Sequence, residues 1–282
     1  MKMIINFYDV EHGSCTHIIT PNGKHILVDI GSKTNSSISS YIKNKYFGNY
    51  DGNISALIIT HPHVDHIYDL PQLLKVLSPL VLYRPRGAFD IIPTQHTEVN
   101  KEITDCANRI NREYNNPIEP DENPLDSKNN GGVDIKIISP LDIWTTKDDL
   151  NTFSSVVIIT YGNYKFVLTG DNPKSILQNM IEENYQDIKS KISNATVLLA
   201  PHHGRTHEYC DSFFRVVNPY LTVVSDKSIV HSTQEETAKL YKGRGAKLYE
   251  TERYVLTTRN DGTISFTTTL NSCNVSMKSE GY

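Results

Sequence analysis

The chain has 282 residues, 38% of them hydrophobic, enough to bury a full core, and its formal charge of -4 argues against a surface coated in lysine and arginine for sequence-independent grip on duplex DNA. Its longest apolar runs, 54–59 and 195–200, fall far short of the roughly 20 residues that cross a bilayer, so neither a transmembrane helix nor a membrane partner is expected. Cys15, Cys106, Cys210 and Cys273 lie far apart without a CxxC pair, which disfavours a disulfide framework or a cysteine zinc site and makes a reducing cytoplasm the simplest location. In chain order, 4–10 and 15–20 read as strands, a Pro21-Asn22-Gly23-Lys24 turn follows, and 25–30 is a third strand. A helical pattern covers 37–46, a buried strand covers 54–60, and a second helix covers 69–77. Between Arg84 and Gly132 the texture turns polar, with one helix near 98–114 and then loop composition, so this stretch reads as an insertion or lid. Strands resume at 133–139, 155–161 and 165–169, followed by a helix at 174–183 and strands at 195–200 and 221–225. A helix at 234–242 and strands at 254–258 and 263–268 complete the pattern, and the residues after Leu270 read as frayed. Strands first, then strand and helix alternating twice, predicts an α/β sandwich of two mixed sheets packed face to face with helices on the outer faces, one domain over 1–282 with the insertion at 84–132.

Eleven histidines are the compositional oddity, and three of them fall in Thr60-His61-Pro62-His63-Val64-Asp65-His66, directly after a buried strand and before a helix. A strand-to-helix loop can turn several side chains into one cleft, and imidazole and carboxylate suit borderline cations such as zinc. A histidine-rich surface turn is the plainer reading, but three histidines and an aspartate packed against an apolar strand count against it. One loop does not complete a two-metal site. Further donors belong just after other buried strands, and two such places exist: Asp171 in Leu168-Thr169-Gly170-Asp171, and the pair in Pro201-His202-His203-Gly204. Taken alone, Asp171 is an ordinary turn residue.

These segments, in order with Asp9-Val10-Glu11-His12-Gly13-Ser14, Ile26-Leu27-Val28-Asp29-Ile30-Gly31 and 151–156, resemble the metallo-β-lactamase superfamily and, within it, the hydrolase domain of ComEC-type DNA-uptake competence proteins. The resemblance covers most of the chain. It implies an αββα sandwich carrying two divalent ions, zinc first and manganese second, with His61, His63, Asp65, His66 and His202 as ligands and Asp171 between the ions. His203 is then a second ligand or a phosphate contact, Asp29 a support for the histidine loop or a plain turn residue, and Asp65, His203 and His231 carry the catalytic roles. Three departures stand out: the interval before Asp171 holds only His96, read as a surface residue; His231 occupies the place of the last histidine; and Glu11-His12 replaces a more usual Gly-Gln, leaving His12 either near the site or in water.

The implied activity is a metal-dependent phosphodiesterase or nuclease on DNA, with Arg84, Arg86, Lys101, Arg109 and Arg205 available for a local groove. Two alternatives accompany it: a hydrolase of small phosphoesters, such as a cyclic nucleotide or a choline-phosphate ester, and a non-catalytic binding module on the same fold.

Overall fold

The computed structural model describes residues 1–33, 35–50, 52–95, 101–227, 233–248 and 250–278. Two sheets form its centre. The first has seven strands in the spatial order Cys273–Lys278, Thr263–Thr268, Met3–Phe7, Thr16–Ile19, His25–Val28, Ala56–Ile58 and Leu82–Tyr83. The second has six, ordered Val255–Thr257, Leu221–Val224, Val197–Leu199, Tyr164–Leu168, Val156–Tyr161 and Asp134–Ile138. Both are mixed: His25–Val28, Ala56–Ile58 and Leu82–Tyr83 run parallel, as do Tyr164–Leu168, Val197–Leu199, Leu221–Val224 and Val255–Thr257, while the remaining pairs are antiparallel.

The layering follows from the two-residue period of strand side chains. Ile26, Val28, Ala56 and Ile58 of the first sheet meet Phe166, Leu168, Val197 and Leu199 of the second in the central core, whereas Leu27 and Leu57 point outward. There they pack with helices Ile38–Ile42, Leu70–Val76, Arg86–Gln95 and Lys101–Glu113. Ile158, Val167 and Leu198 do the same on the second sheet, under helices Lys174–Glu182, Ile188–Ile192 and Asp211–Val217. Strands buried on both faces read as continuous apolar runs, which is why they stood out in the sequence. The architecture is the expected αββα sandwich.

Local expectations need correction at several points. Helix Arg86–Gln95 was not foreseen, and neither were strand Leu82–Tyr83 nor helix Asp211–Val217. Residues after Leu270 are not frayed: Cys273–Lys278 forms the outermost strand of the first sheet, antiparallel to Thr263–Thr268. Its alternation is muted because Cys273, Val275 and Met277 are only half-buried on an edge. No helix among the described residues is long and apolar enough to cross a membrane.

A buried polar chain crosses the first sheet away from the histidine loop: Tyr8 Oη lies 3.1 Å from His17 Nδ1, and His17 Nε2 lies 2.9 Å from His25 Nδ1. Burial first, then His25 and Lys45, push the His17 pKa well below the ordinary value. Folded His17 is therefore neutral, the unfolded chain takes the proton first as pH falls below ~6.5, and stability declines there by up to about 1.4 kcal/mol per pH unit for this group. Urea unfolding at pH 7.5 and 5.5 should show wild type losing on the order of 1 kcal/mol more than His17→Gln. Equal losses in the two proteins would place the proton uptake elsewhere.

Candidate metal centre

Every sequence-nominated donor within the described residues sits just past the C-terminal end of a parallel strand, the histidine loop after Ala56–Ile58, Asp171 after Tyr164–Leu168, and His202 and His203 after Val197–Leu199, and the supporting Asp29 sits likewise after His25–Val28. Crevices at the carboxyl ends of such strands are the usual ligand sites of open α/β sheets. The two sheets are tied together at this edge, where Ser155 N–H donates to the Thr60 carbonyl at 3.0 Å, and within the second sheet His202 N–H donates to the Gly170 carbonyl at 3.2 Å. Two glycines let the loop close in. A Cβ on Gly31 would stand 2.3 Å from the Asp65 carbonyl oxygen, and one on Gly13 2.6 Å from it, so only glycine permits this approach.

Two clusters of side chains meet at Asp171, which is 4% exposed. Asp65, His66, Asp171 and His203 each offer a ligand atom within 4.8 Å of the others. In this cluster His66 Nε2 lies 3.1 Å from Asp171 Oδ1, His203 Nε2 3.2 Å from Asp65 Oδ2, and His203 Nε2 3.5 Å from Asp171 Oδ2. Beside it, His61 Nε2 is 3.0 Å from His63 Nδ1 and 4.0 Å from Asp171 Oδ2, while His202 Nε2 approaches the same oxygen to 3.8 Å. Ligand atoms around a tetrahedral zinc with bonds of ~2.1 Å stand roughly 3.4 Å apart. The observed spacings straddle that value.

The supports are as specific as the donors. Asp29 accepts from Thr60 N–H at 2.7 Å, from the Thr60 hydroxyl at 2.8 Å and from His66 Nδ1 at 2.8 Å, which aims His66 Nε2 at Asp171. His203 Nδ1 donates to the Ser225 carbonyl at 2.9 Å and so presents Nε2 to the two aspartates. His202 and His203 both hold left-handed backbone, at φ 49° and 54°, ahead of Gly204 at 73°. Such conformations cost about 1–3 kcal/mol each in non-glycine residues and persist where the surroundings enforce them. Here the strained turn brings both imidazoles of a neighbouring pair to one carboxylate.

Whether a cation fits is decided by two observations. His66 Nε2 is buried without a hydrogen-bond partner, its 3.1 Å approach to Asp171 being misaligned for a hydrogen bond. Protonation also follows the carboxylates. Burial alone would lower the His66 pKa, but Asp171, Asp29 and Asp65 overcome it and hold it well above the histidine range; likewise His203 is raised to about 10 against its burial by Asp171 and Asp65. Burial would raise Asp171, yet His66 and His203 keep it well below the carboxylate range. His61 is pushed well below the ordinary histidine value by burial and then by His66, which Asp171 and Asp65 do not offset. Buried carboxylates that draw protons onto adjacent imidazoles form a donor set suited to a divalent cation, whose binding displaces those protons. Asp29→Asn, which weakens the anchor of His66, should lower metal affinity by about 10- to 100-fold in a chelator competition titration, with the fold retained by circular dichroism.

His12 approaches the centre while its side chain stays 39% exposed, with Nε2 3.7 Å from Asp65 Oδ2 and its ring 4.6 Å from that of His203. Glu208 was missed in the sequence; its Oε1 lies 3.5 Å from His202 Nδ1, six residues away with no local pattern to mark it. His96 and His231 lie outside the described residues. A cleft of about 460 Å³ opens over the donors, lined by His63, Asp65, Asp171 and His202 on its floor and by Tyr68, Arg205 and Lys227 on its walls. Of the cations nominated from the sequence, Arg205 lines this cleft, whereas Arg84 is held by Asn111 and Asn115. None of the described residues in 84–132 contributes to its walls. Lys227, just past strand Leu221–Val224, had the same strand-end signal as the donors.

The fold agrees with the comparisons to known proteins. The family model of the metallo-beta-lactamase superfamily matches residues 8–204. The chain belongs to that superfamily. A curated relative described as a UPF0173 metal-dependent hydrolase, from Sulfurisphaera tokodaii, is 34% identical over 73 residues, which are 26% of this chain and 30% of the relative. The chain thus matches under a third of that relative's length. The solved metallo-beta-lactamase fold protein YhfI from Bacillus subtilis superposes with a TM-score of 0.53 at 15% identity, covering 95% of this chain and 100% of YhfI, a likeness of fold.

Proposed function

We propose that the chain is a metal-dependent hydrolase that binds two divalent ions, zinc or manganese, and cleaves phosphodiesters, with DNA as the substrate class. The observation that carries this reading is Asp171, set between the His61, His63, His202 cluster and the Asp65, His66, His203 cluster. In this assignment His202 and His203 serve one ion each. His202 thereby supplies the donor for which the interval between His66 and Asp171 offers only His96, outside the described residues, and His203 acts as a ligand instead of an acid. When bound, the ions supply Lewis acidity toward a phosphoryl oxygen and activate a water as nucleophile. The chain's own groups do the positioning: Asp29 and the Ser225 carbonyl fix His66 and His203, Asp65 reaches the cleft floor where it can orient an attacking water, and Arg205 and Lys227 draw an anionic substrate inward. Protonation of the leaving oxygen by His231 stays an expectation from the sequence.

The order of motifs, with paired histidines before Gly204 as in ComEC-type hydrolase domains, supports DNA. The size of the cleft favours a second reading, small phosphoesters, since about 460 Å³ is room for one compact ligand. Metal content by elemental mass spectrometry, paired with hydrolysis of single-stranded DNA, duplex DNA, RNA and bis-p-nitrophenyl phosphate in added zinc or manganese, tests both. About two ions with DNA cleavage upholds the first reading; activity confined to the small diester shifts it to the second; no metal and no turnover rejects both.

A further inference from the structure

The cleft walls carry groups that holding two ions does not require. Tyr68 closes the short helix Val64–Ile67, is 36% exposed, and lines the cleft alongside His63 and Asp65. Tyr8, Tyr41, Tyr209 and Tyr241 all pack against other aromatic rings, whereas Tyr68 makes no ring contact among the described residues. A single exposed tyrosine is unremarkable anywhere else on a protein surface. Its place beside the donors is what gives it meaning. Arg205 follows the paired histidines after Gly204 and lines the cleft with His12 and His202. Neither Arg205 nor Lys227 forms an ion pair with a carboxylate among the described residues, while nearby Asp226 is taken by Arg259 at 3.4 Å. One acidic side chain, Glu11, stands on the rim.

We propose that the cleft recognises a nucleotide unit, with the base stacked on Tyr68 and the phosphate held by Arg205 and Lys227 beside the metal donors. The inference rests on the phosphodiesterase reading and sharpens it: the preferred diester carries a nucleoside next to the hydrolysed phosphate, and the base must be free of a duplex to reach the ring. A tyrosine face accepts any base because every base presents a π-surface, and arginine and lysine meet phosphate oxygens without reading sequence. Recognition is therefore selective for nucleotides over simple phosphates and tolerant among bases.

Two measurements test this on the zinc-loaded protein. In calorimetry, thymidine 5′-phosphate should bind more tightly than inorganic phosphate. Tyr68→Ala should weaken the nucleotide about tenfold more than it weakens phosphate, the size of one lost base-to-ring stack, and Tyr68→Trp should restore the difference. Arg205→Ala and Lys227→Ala should weaken both ligands. In kinetics, the ratio of kcat/KM for thymidine 5′-(p-nitrophenyl phosphate) to that for methyl p-nitrophenyl phosphate, which share a leaving group, should fall about tenfold in Tyr68→Ala. A nucleotide that binds no better than phosphate, or a ratio that Tyr68→Ala leaves unchanged, overturns the inference while turnover of the methyl diester still upholds phosphodiester hydrolysis. Tyr68-dependent nucleotide binding without turnover of either diester does the reverse.

Discussion

Asp171→Ala should empty both metal positions and reduce hydrolysis of bis-p-nitrophenyl phosphate by roughly 10³-fold or more, well beyond the ~10- to 100-fold typical of residues that only support a ligand. The expectation follows from its place. Asp171 Oδ1 faces His66 at 3.1 Å, while Oδ2 faces His203 at 3.5 Å, His202 at 3.8 Å and His61 at 4.0 Å. Removing this carboxylate takes away the one donor that both clusters share, leaving His61, His63 and His202 with no anionic partner on one side and Asp65, His66 and His203 on the other. Folding is the necessary control. Asp171 N–H donates to Ser154 Oγ at 3.2 Å through the backbone, a contact that the alanine variant keeps, so circular dichroism and thermal unfolding should show a folded chain. Asp171→Asn, which preserves shape and removes charge, should behave as the alanine variant does. Two tightly held ions in either protein would remove Asp171 from the centre of the assignment.

His202→Ala and His203→Ala should each lose about one of two ions, and not the same one, with hydrolysis falling on the order of 100-fold in both. Adjacent residues in extended backbone point to opposite sides, so a neighbouring pair ordinarily cannot serve one carboxylate. The left-handed turn at 202–204 is what lets them do so. His203 is locked by the Ser225 carbonyl and belongs with Asp65 and His66; His202 reaches Asp171 from the side of His61 and carries Glu208 at its back. Pairing each variant with a second substitution discriminates the clusters. His203→Ala combined with His66→Ala should keep the ion held by His61 and His63, and His202→Ala combined with His63→Ala should keep the other. Elemental mass spectrometry that finds both ions in either single variant, or none in either, would show that the two histidines do not divide between two ions.

The edge that gathers the donors was largely legible in the sequence, because most nominations rested on a local signal, a buried apolar strand followed closely by histidine or aspartate, whereas His231 rested on the resemblance and lies outside the described residues. The loop at 60–66, Asp171 and the pair at 202–203 all carry it, and all converge. Asp29 carries it as well, and its alternative as a plain turn residue gives way to three hydrogen bonds into the histidine loop. The layered sheets were equally readable, since strands buried on both faces appear as unbroken apolar runs. Elements without a strong period were not. Leu82–Tyr83 is two residues long, and the half-buried face of Cys273–Lys278 gives weak contrast on an edge strand. Helix Arg86–Gln95 begins with Arg86-Gly87 after Pro85, residues that read as a turn, yet Phe89 and Ile92 are fully buried against the first sheet.

Sequence by itself determined the donor types, their attachment to strand ends and the sandwich that collects them, because these depend on residue chemistry and short-range periodicity. Only the tertiary structure decided how the donors divide around Asp171, that His202 and His203 turn to it together, and that Tyr68, Arg205 and Lys227 face one cleft. Those relations join residues far apart in the chain, and they are set by the register of parallel strands and a strained turn, neither of which leaves a periodic trace in the sequence.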